Sequence, residues 1–368
     1  MSTAIVVGAG ASLAQAKHYH PSDPLHHPPL DLDFFQKARR VAKTKPGKDL
    51  NSAIADLLVE VTASDEFDDP FDDPSISMEQ YFADVFYEVD AAGGDLAFRV
   101  YLNLVRVYSQ LLAATTNWIA LKPSGGPIGQ LLASEVSMLN SEDEVTVITF
   151  NQDLIIENVL DYLRPSVGEW CLQSLYGESG FVEVRAKGAN VFPLHVSGCE
   201  HYARVRLLKL HGSMNWGLAS KDSKAAAEEL FPTTEMPVYV HDGREISGTV
   251  RRVGSGSKAR YLHPLVVPPI YDKHRITRLP LIDAQWSKAR AALETADRIL
   301  LVGYSMPDAD ILAQQLLRRA FAANDGVQVV WVINPDAGIA LRLNRRLKNK
   351  GLHLYEDFDS FLAAESRL

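Results

Sequence analysis

The chain has 368 residues, 46% hydrophobic and 23% charged, an ordinary balance for a globular protein with room for one large or two modest domains and a substantial core. Its 37 basic and 46 acidic residues leave a formal charge of -9, which excludes broad attraction to nucleic-acid phosphate and predicts no direct nucleic-acid binding. No stretch reaches the roughly 18 apolar residues of a membrane helix, Met1 leads almost at once into a short strand and Gly8 without a basic and apolar leader, and Cys171 and Cys199, the two cysteines, are too few for a disulfide framework or a four-cysteine zinc site. The expected location is the cytoplasm, with no membrane partner.

The first predicted element is the apolar run Ala4 to Val7, a strand buried on both faces, followed by a glycine-bearing turn. His18 to Pro29 is rich in His and Pro and reads as a loop over the surface or over the site. Its histidines, His18, His20, His26 and His27, lack the spacing of a metal motif, so no metal site is expected. From 34 to about 139 the pattern is helical and interrupts the strand series. Met78, Tyr81, Phe82, Val85, Phe86 and Val89 form an amphipathic stripe, with Ser77 and Gln80 as a capping box at its start. The acidic loop before it, Asp65 to Pro74, lacks the glycine and spacing of a calcium loop. A long helix is expected from Leu96 to Leu121, and Ser124-Gly125-Gly126-Pro127 is a break.

Strand character returns at Glu144 to Phe150, Arg204 to Leu210, Arg298 to Val302 and Val327 to Ile333. Helical patterns at Asp283 to Ala296 and Ala309 to Ala322 separate several of these runs, the βαβ signature of an α/β fold with a mainly parallel sheet. The stretches of about 165–202 and 217–262 read as irregular excursions from one domain spanning 1–368. Gly254 to Lys258 is expected to be a mobile loop, without the spacing of a P-loop. Basic residues Arg342, Arg345, Arg346, Lys348 and Lys350 read as a solvated helix face.

Three of the strands end in chemically useful turns. Gly8-Ala9-Gly10-Ala11-Ser12 follows the first strand, Asn151-Gln152-Asp153 follows Thr149-Phe150, and His211-Gly212 follows Lys209-Leu210. Ligands of parallel sheets bind beyond the carboxyl ends of the strands, so these segments are expected to meet in one crevice. Gly8 and Gly10 either let backbone N–H groups approach a pyrophosphate at a helix start or simply make a strand-to-helix turn. Leu13 stands where the third glycine of a dinucleotide fingerprint would be. Asn151 can hold a ribose hydroxyl or orient a water without changing charge. Asp153 either caps the next helix or joins the chemistry. His211 titrates in the range of a general base, the alternative being a structural histidine.

GAGAS, TFNQD, KLHGS, VGYS and VIN occur in the order of the sirtuin motifs, and the chain resembles the bacterial sirtuin-like NAD-cleaving proteins of anti-phage defence. The resemblance implies a Rossmann-like fold with a helical insertion, NAD as substrate, and a pyrophosphate cradle at Gly8, Ala9, Gly10, Ala11 and Ser12. It implies that Thr149, Phe150, Asn151 and Asp153 lie around the nicotinamide ribose, with Asn151 and His211 as the catalytic pair. It places Gly303, Tyr304 and Ser305 on the adenosine side and Asn334 at the adenosine ribose. Tyr304 departs from the usual threonine of the family. Asp308 and Asp310 are read as helix caps and left out of the site.

The zinc ribbon of protein-deacylating sirtuins needs four cysteines, so no zinc is expected and hydrolysis of NAD to nicotinamide and ADP-ribose is favoured. The alternatives are an NAD-dependent protein deacylase and a non-enzymatic NAD or ADP-ribose sensor. The resemblance further implies a homo-oligomer, with a HerA-type translocase ATPase as a possible partner.

Overall fold

The computed structural model describes residues 2–45, 47–64, 66–92, 95–117, 125–140, 143–167, 172–177, 181–187, 190–193, 204–220, 238–241, 251–253, 260–267, 279–306, 310–344, 347 and 350–365. Cys171, Cys199, Asp308, Arg345, Arg346, Lys348 and the segment Gly254 to Lys258 lie outside them. The chain opens with β1 (Ser2–Val7) and α1 (Ala9–Tyr19), then runs through five helices before the next strand: α2 (Phe34–Ala42), α3 (Lys48–Thr62), α4 (Met78–Ala92), α5 (Asp95–Thr116) and α6 (Pro127–Ser137). β2 (Glu144–Thr149), α7 (Ile155–Val167), α8 (Leu172–Tyr176), β3 (Phe181–Lys187), β4 (Asn190–Pro193), β5 (Val205–Lys209) and β6 (Gly212–Ser220) follow. Then come β7 (Val238–His241), β8 (Arg251–Val253), β9 (Arg260–Val266), α9 (Pro280–Thr295), β10 (Arg298–Val302), α10 (Ile311–Ala323), β11 (Val329–Ile333), α11 (Gly338–Asn344), β12 (Gly351–Tyr355) and α12 (Phe358–Glu365).

The main sheet has the order β12-β11-β10-β1-β2-β5, and each of its neighbouring pairs is parallel. Counted along the chain these are strands 6-5-4-1-2-3, the doubly wound arrangement in which the order reverses between the first strand and the fourth. The fold is therefore α/β and Rossmann-like, with its switch point between β1 and β10.

The alternation of side chains explains the two layers. Ile5, Val7, Val145, Val147, Leu300 and Val302 face one core with α1 to α7. Ala4, Val6, Ile148, Leu208, Ile299 and Leu301 face the other, against α9, α10 and α11. Strands buried on both faces must be apolar throughout, which is why these runs stand out in the sequence. The predicted stripe on α4 is buried along its whole length, no residue of it being more than 7% exposed. Ser77 accepts from the Gln80 amide as predicted, and Asp31 adds a second cap by accepting from the Glu79 amide at 2.8 Å. The histidine loop is thus tied to the start of α4.

Two parts of the fold differ from expectation. β12 pairs in parallel with β11; it was not predicted, because as a half-exposed edge strand it lacks a continuous apolar run. The stretches expected to be irregular contribute β3, β4, β7, β8 and parts of β6 and β9, which close into a barrel; β4, β7 and β8 have only three or four residues, too few for a period of two to stand out, and the pairing of β6 with β9 shifts register between Ser213 and Gly217. Arg342 pairs with Asp336, and Lys350 donates to the Val327 carbonyl at 2.7 Å, so neither is simply a solvated charge. No helix among the described residues is long and apolar enough to cross a membrane.

At the amino end of the sheet, away from the strand tips, Arg298 lies 2.6 Å from Glu365 and 3.3 Å from Glu135, under the rings of Trp331 and Phe361. Burial pushes the Glu135 carboxyl up to about 7; Arg298 opposes the rise and Glu365 adds to it. A carboxyl whose affinity for its proton is higher in the fold than in the unfolded chain stabilises below its ordinary value of 4.5, and that stabilisation is lost as pH rises through about 7. At about 1.4 kcal/mol per tenfold, the loss amounts to about 3 kcal/mol. Glu135→Gln is expected to flatten the decline in unfolding free energy between pH 5 and pH 8, measured by denaturant titration. A decline as steep as that of the wild type would rule out Glu135 as its source.

Candidate functional site

The carboxyl ends of β1, β2, β5 and β10 surround a cavity of about 410 Å³, within the ordinary range for small-ligand sites. Its floor comes from the strand tips: Gly8, Ala9 and Ser12 after β1, Phe150 to Asp153 after β2, His211 after β5, and Tyr304 and Ser305 after β10. Its far wall comes from the helical insertion and the histidine loop, through Pro28 to Asp31, Met78, Glu79, Tyr108 and Leu112. The expected convergence of the three motif turns is what the structure shows.

Close approach of the β1 and β10 turns shapes the floor. Gly303 has φ +59°, a left-handed conformation that favours glycine, and a Cβ there would lie 2.2 Å from the Ala11 nitrogen. The Gly10 amide donates to the Gly303 carbonyl at 2.9 Å and the Ala11 amide to the Gly8 carbonyl at 3.0 Å. Gly10 and Ala11, expected in a phosphate cradle, thus have protein partners and do not line the cavity. Gly8 and Ala9 do. Gly212, at φ +74° with Leu265 O 2.2 Å from where its Cβ would be, lets the chain pass from β5 into the barrel strand β6.

Asn151 is held by both of its amide hydrogens. Nδ2 donates to the Gly8 carbonyl at 3.0 Å and to Ser12 Oγ at 2.9 Å, while the Asn151 backbone amide donates to Thr149 Oγ1. With those hydrogens engaged, what Asn151 offers a ligand is the acceptor Oδ1. Ser12 Oγ in turn donates to Asp153 Oδ2 at 2.7 Å, and Asp153 Oδ1 accepts from the Ile155 amide. Asp153 therefore caps the start of α7 and anchors Ser12. Ser12 is 2% exposed and positions Asn151.

His211 is buried, its ring centroid 5.3 Å from Phe150 and 6.1 Å from Trp286, and its carbonyl accepts from the Val267 amide. Its Nε2 lies 3.7 Å from Asp310 Oδ2. Phe150 stacks on Tyr304 with centroids 4.6 Å apart. Asn334 stands at the tip of β11 but does not line the cavity: Nδ2 donates to the Tyr304 carbonyl at 3.2 Å, and Oδ1 accepts from the Asp336 amide at 2.9 Å. It braces the β10 turn.

Tyr108, Gln152, Lys209, Glu157 and Tyr176 were not among the expected site residues. Tyr108 on α5 donates to Gln152 Oε1, and Gln152 Nε2 donates to the Val267 carbonyl at 2.7 Å, linking the insertion to the β2 turn and the barrel. Burial raises the Tyr108 phenol above its ordinary range, so it remains a donor. Lys209, 1% exposed, donates to the Asp153 carbonyl and to Glu157 Oε1, the latter at 2.7 Å. Tyr176 also donates to Glu157. The signal for Lys209 was present: a charge inside an apolar strand needs a buried partner. Asp310 is the N-cap residue of α10, yet its side chain makes no capping bond, which corrects its reading as a cap.

The fold is a doubly wound α/β sheet with a cavity at its carboxyl edge, beside the switch point between β1 and β10. Compared with protein-family models and with curated proteins, the chain matches none.

Proposed function

We propose that this protein is an NAD hydrolase, cleaving the nicotinamide–ribose bond to give nicotinamide and ADP-ribose. The observation that carries this reading is the fixed orientation of Asn151, at the tip of β2, in the cavity that His211 also lines from the tip of β5, an acceptor oxygen and an imidazole on one cavity. As the glycosidic bond breaks, its electron pair goes to the pyridinium nitrogen and positive charge develops on the ribose, as in glycoside cleavage. Asp31, Glu79, Asp153 and Asp310 line the cavity, and no lysine or arginine does so among the described residues. That charge pattern suits a developing cation. Asn151 Oδ1 accepts a hydrogen bond from water, His211 takes its proton, and the oxygen joins the anomeric carbon. The phosphates of NAD are assigned to the side of the cavity lined by Ala9 at the start of α1, the Gly8 amide being taken by the Val302 carbonyl at 2.9 Å.

The bond from Tyr108 to Gln152 ties the insertion to the turn that carries Asn151. Together with the resemblance described above, this supports the role of an NAD-depleting effector in anti-phage defence, acting as an oligomer or with a HerA-type ATPase. Nicotinamide release is expected without any acyl-lysine peptide. Release that starts only when such a peptide is added would establish a deacylase instead.

A further inference from the structure

We infer that Asp310 is a positioning residue that acts through His211, holding its imidazole and raising its affinity for a proton. The inference rests on the reading of His211 as the proton acceptor. Both side chains are buried, at 7% and 8% exposure, and both line the cavity, with Nε2 and Oδ2 3.7 Å apart. That is longer than a hydrogen bond but within the range in which an opposite charge favours the ionised imidazole. Phe150 and Trp286 flank the ring and fix the face it turns to the carboxylate.

The placement of Asp310 is built into the fold. The chain leaves β10 through two residues in the left-handed region, Gly303 at φ +59° and Met306 at φ +55°. Met306 is 2% exposed, and a bulky side chain in that conformation persists only where its surroundings hold it. Asp310 is the N-cap residue of α10, but its side chain makes no capping bond. The carboxylate is thus not used as a helix cap and stands 3.7 Å from the imidazole.

Among the described residues, the other titratable groups that line the cavity or lie beneath it are placed as follows. Asp153 accepts from Ser12 and Ile155, Asp31 accepts from Ser77 and the Glu79 amide, and Tyr108 donates to Gln152. Glu79 stands on α4 in the far wall, and Lys209 on β5 is paired with Glu157 beneath the floor. Of these groups, Asp310 is the one within ion-pair distance of His211. A carboxylate so placed makes the imidazole a stronger base and holds its orientation as it takes the proton.

The test is the titration of His211 in the full-length protein without ligand, followed by NMR with labelled histidine and identified by the signal missing from His211→Ala. Asp310→Asn and Asp310→Ser both remove the charge, and both residues are favourable at a helix start, so α10 is retained. Each is expected to lower the His211 midpoint by about one pH unit, and Asp310→Glu to restore most of it. An unmoved midpoint in both variants would overturn the inference. Because no substrate is present, that outcome is separate from the failure of NAD hydrolysis. In the pH profile of nicotinamide release, the acidic limb is expected to move down with the midpoint, kcat falling and KM holding. A fall in kcat with the limb in place would also contradict it.

Discussion

Asn151→Ala and His211→Ala are each expected to lower the rate of nicotinamide release by about 10²- to 10⁴-fold, the ordinary worth of positioned proton transfer. The two losses have different origins. Alanine at 151 removes the Oδ1 acceptor and also releases the Gly8 carbonyl and Ser12 Oγ from Nδ2. Asn151 is partly exposed to the cavity, so the fold keeps most of its stability and the loss falls on kcat. Alanine at 211 removes the imidazole but leaves the backbone bond between the His211 carbonyl and Val267 in place. Single-turnover assays on the purified variants, with melting curves as a control, separate chemistry from folding. Wild-type release by either variant would remove that residue from the mechanism.

Lys209→Met is expected to cost the largest share of stability of any single change beside the site, about 3–5 kcal/mol. It leaves Glu157 buried, at 5% exposure, without its cation, and breaking one side of a buried pair carries that cost. Tyr176 still donates to Glu157, but a neutral hydroxyl offsets only part of the charge. The double variant Lys209→Met, Glu157→Leu is expected to regain much of the loss, because an apolar pair of similar volume replaces an ion pair at little net cost. The measurement is a denaturant titration of the two variants beside the wild type. A single variant within about 1 kcal/mol of the wild type would mean that the pair contributes little. Lys209 also holds the Asp153 carbonyl, and through Asp153 and Ser12 the order of Asn151. The single variant should therefore lose nicotinamide release before it loses its fold.

The strands beneath the site were legible because burial on both faces leaves a run such as Ala4 to Val7 no room for polar residues. The strand tips were legible too, since Gly8, Asn151 and His211 interrupt those runs with polar or flexible residues. What one strand pattern cannot show is a partner brought from far along the chain. Tyr108 meets Gln152 across 44 residues, and Asp31 meets Ser77 across 46. Both bonds depend on how the insertion packs. Asp310 was hidden for another reason: an aspartate before a helix has a sufficient local explanation in capping, and only its geometry shows that the carboxylate turns to His211 instead. Gly10 and Ser12 were expected around a pyrophosphate. The structure commits them to Gly303, Asp153 and Asn151, because neighbouring turns at a switch point satisfy one another's polar groups first.

The most direct test of the central claim is a chromatographic assay of NAD incubated with the purified full-length protein in molar excess, so that even a slow first turnover is seen. Equimolar nicotinamide and ADP-ribose are predicted. NAD recovered intact after prolonged incubation would contradict the assignment of this cavity to its hydrolysis.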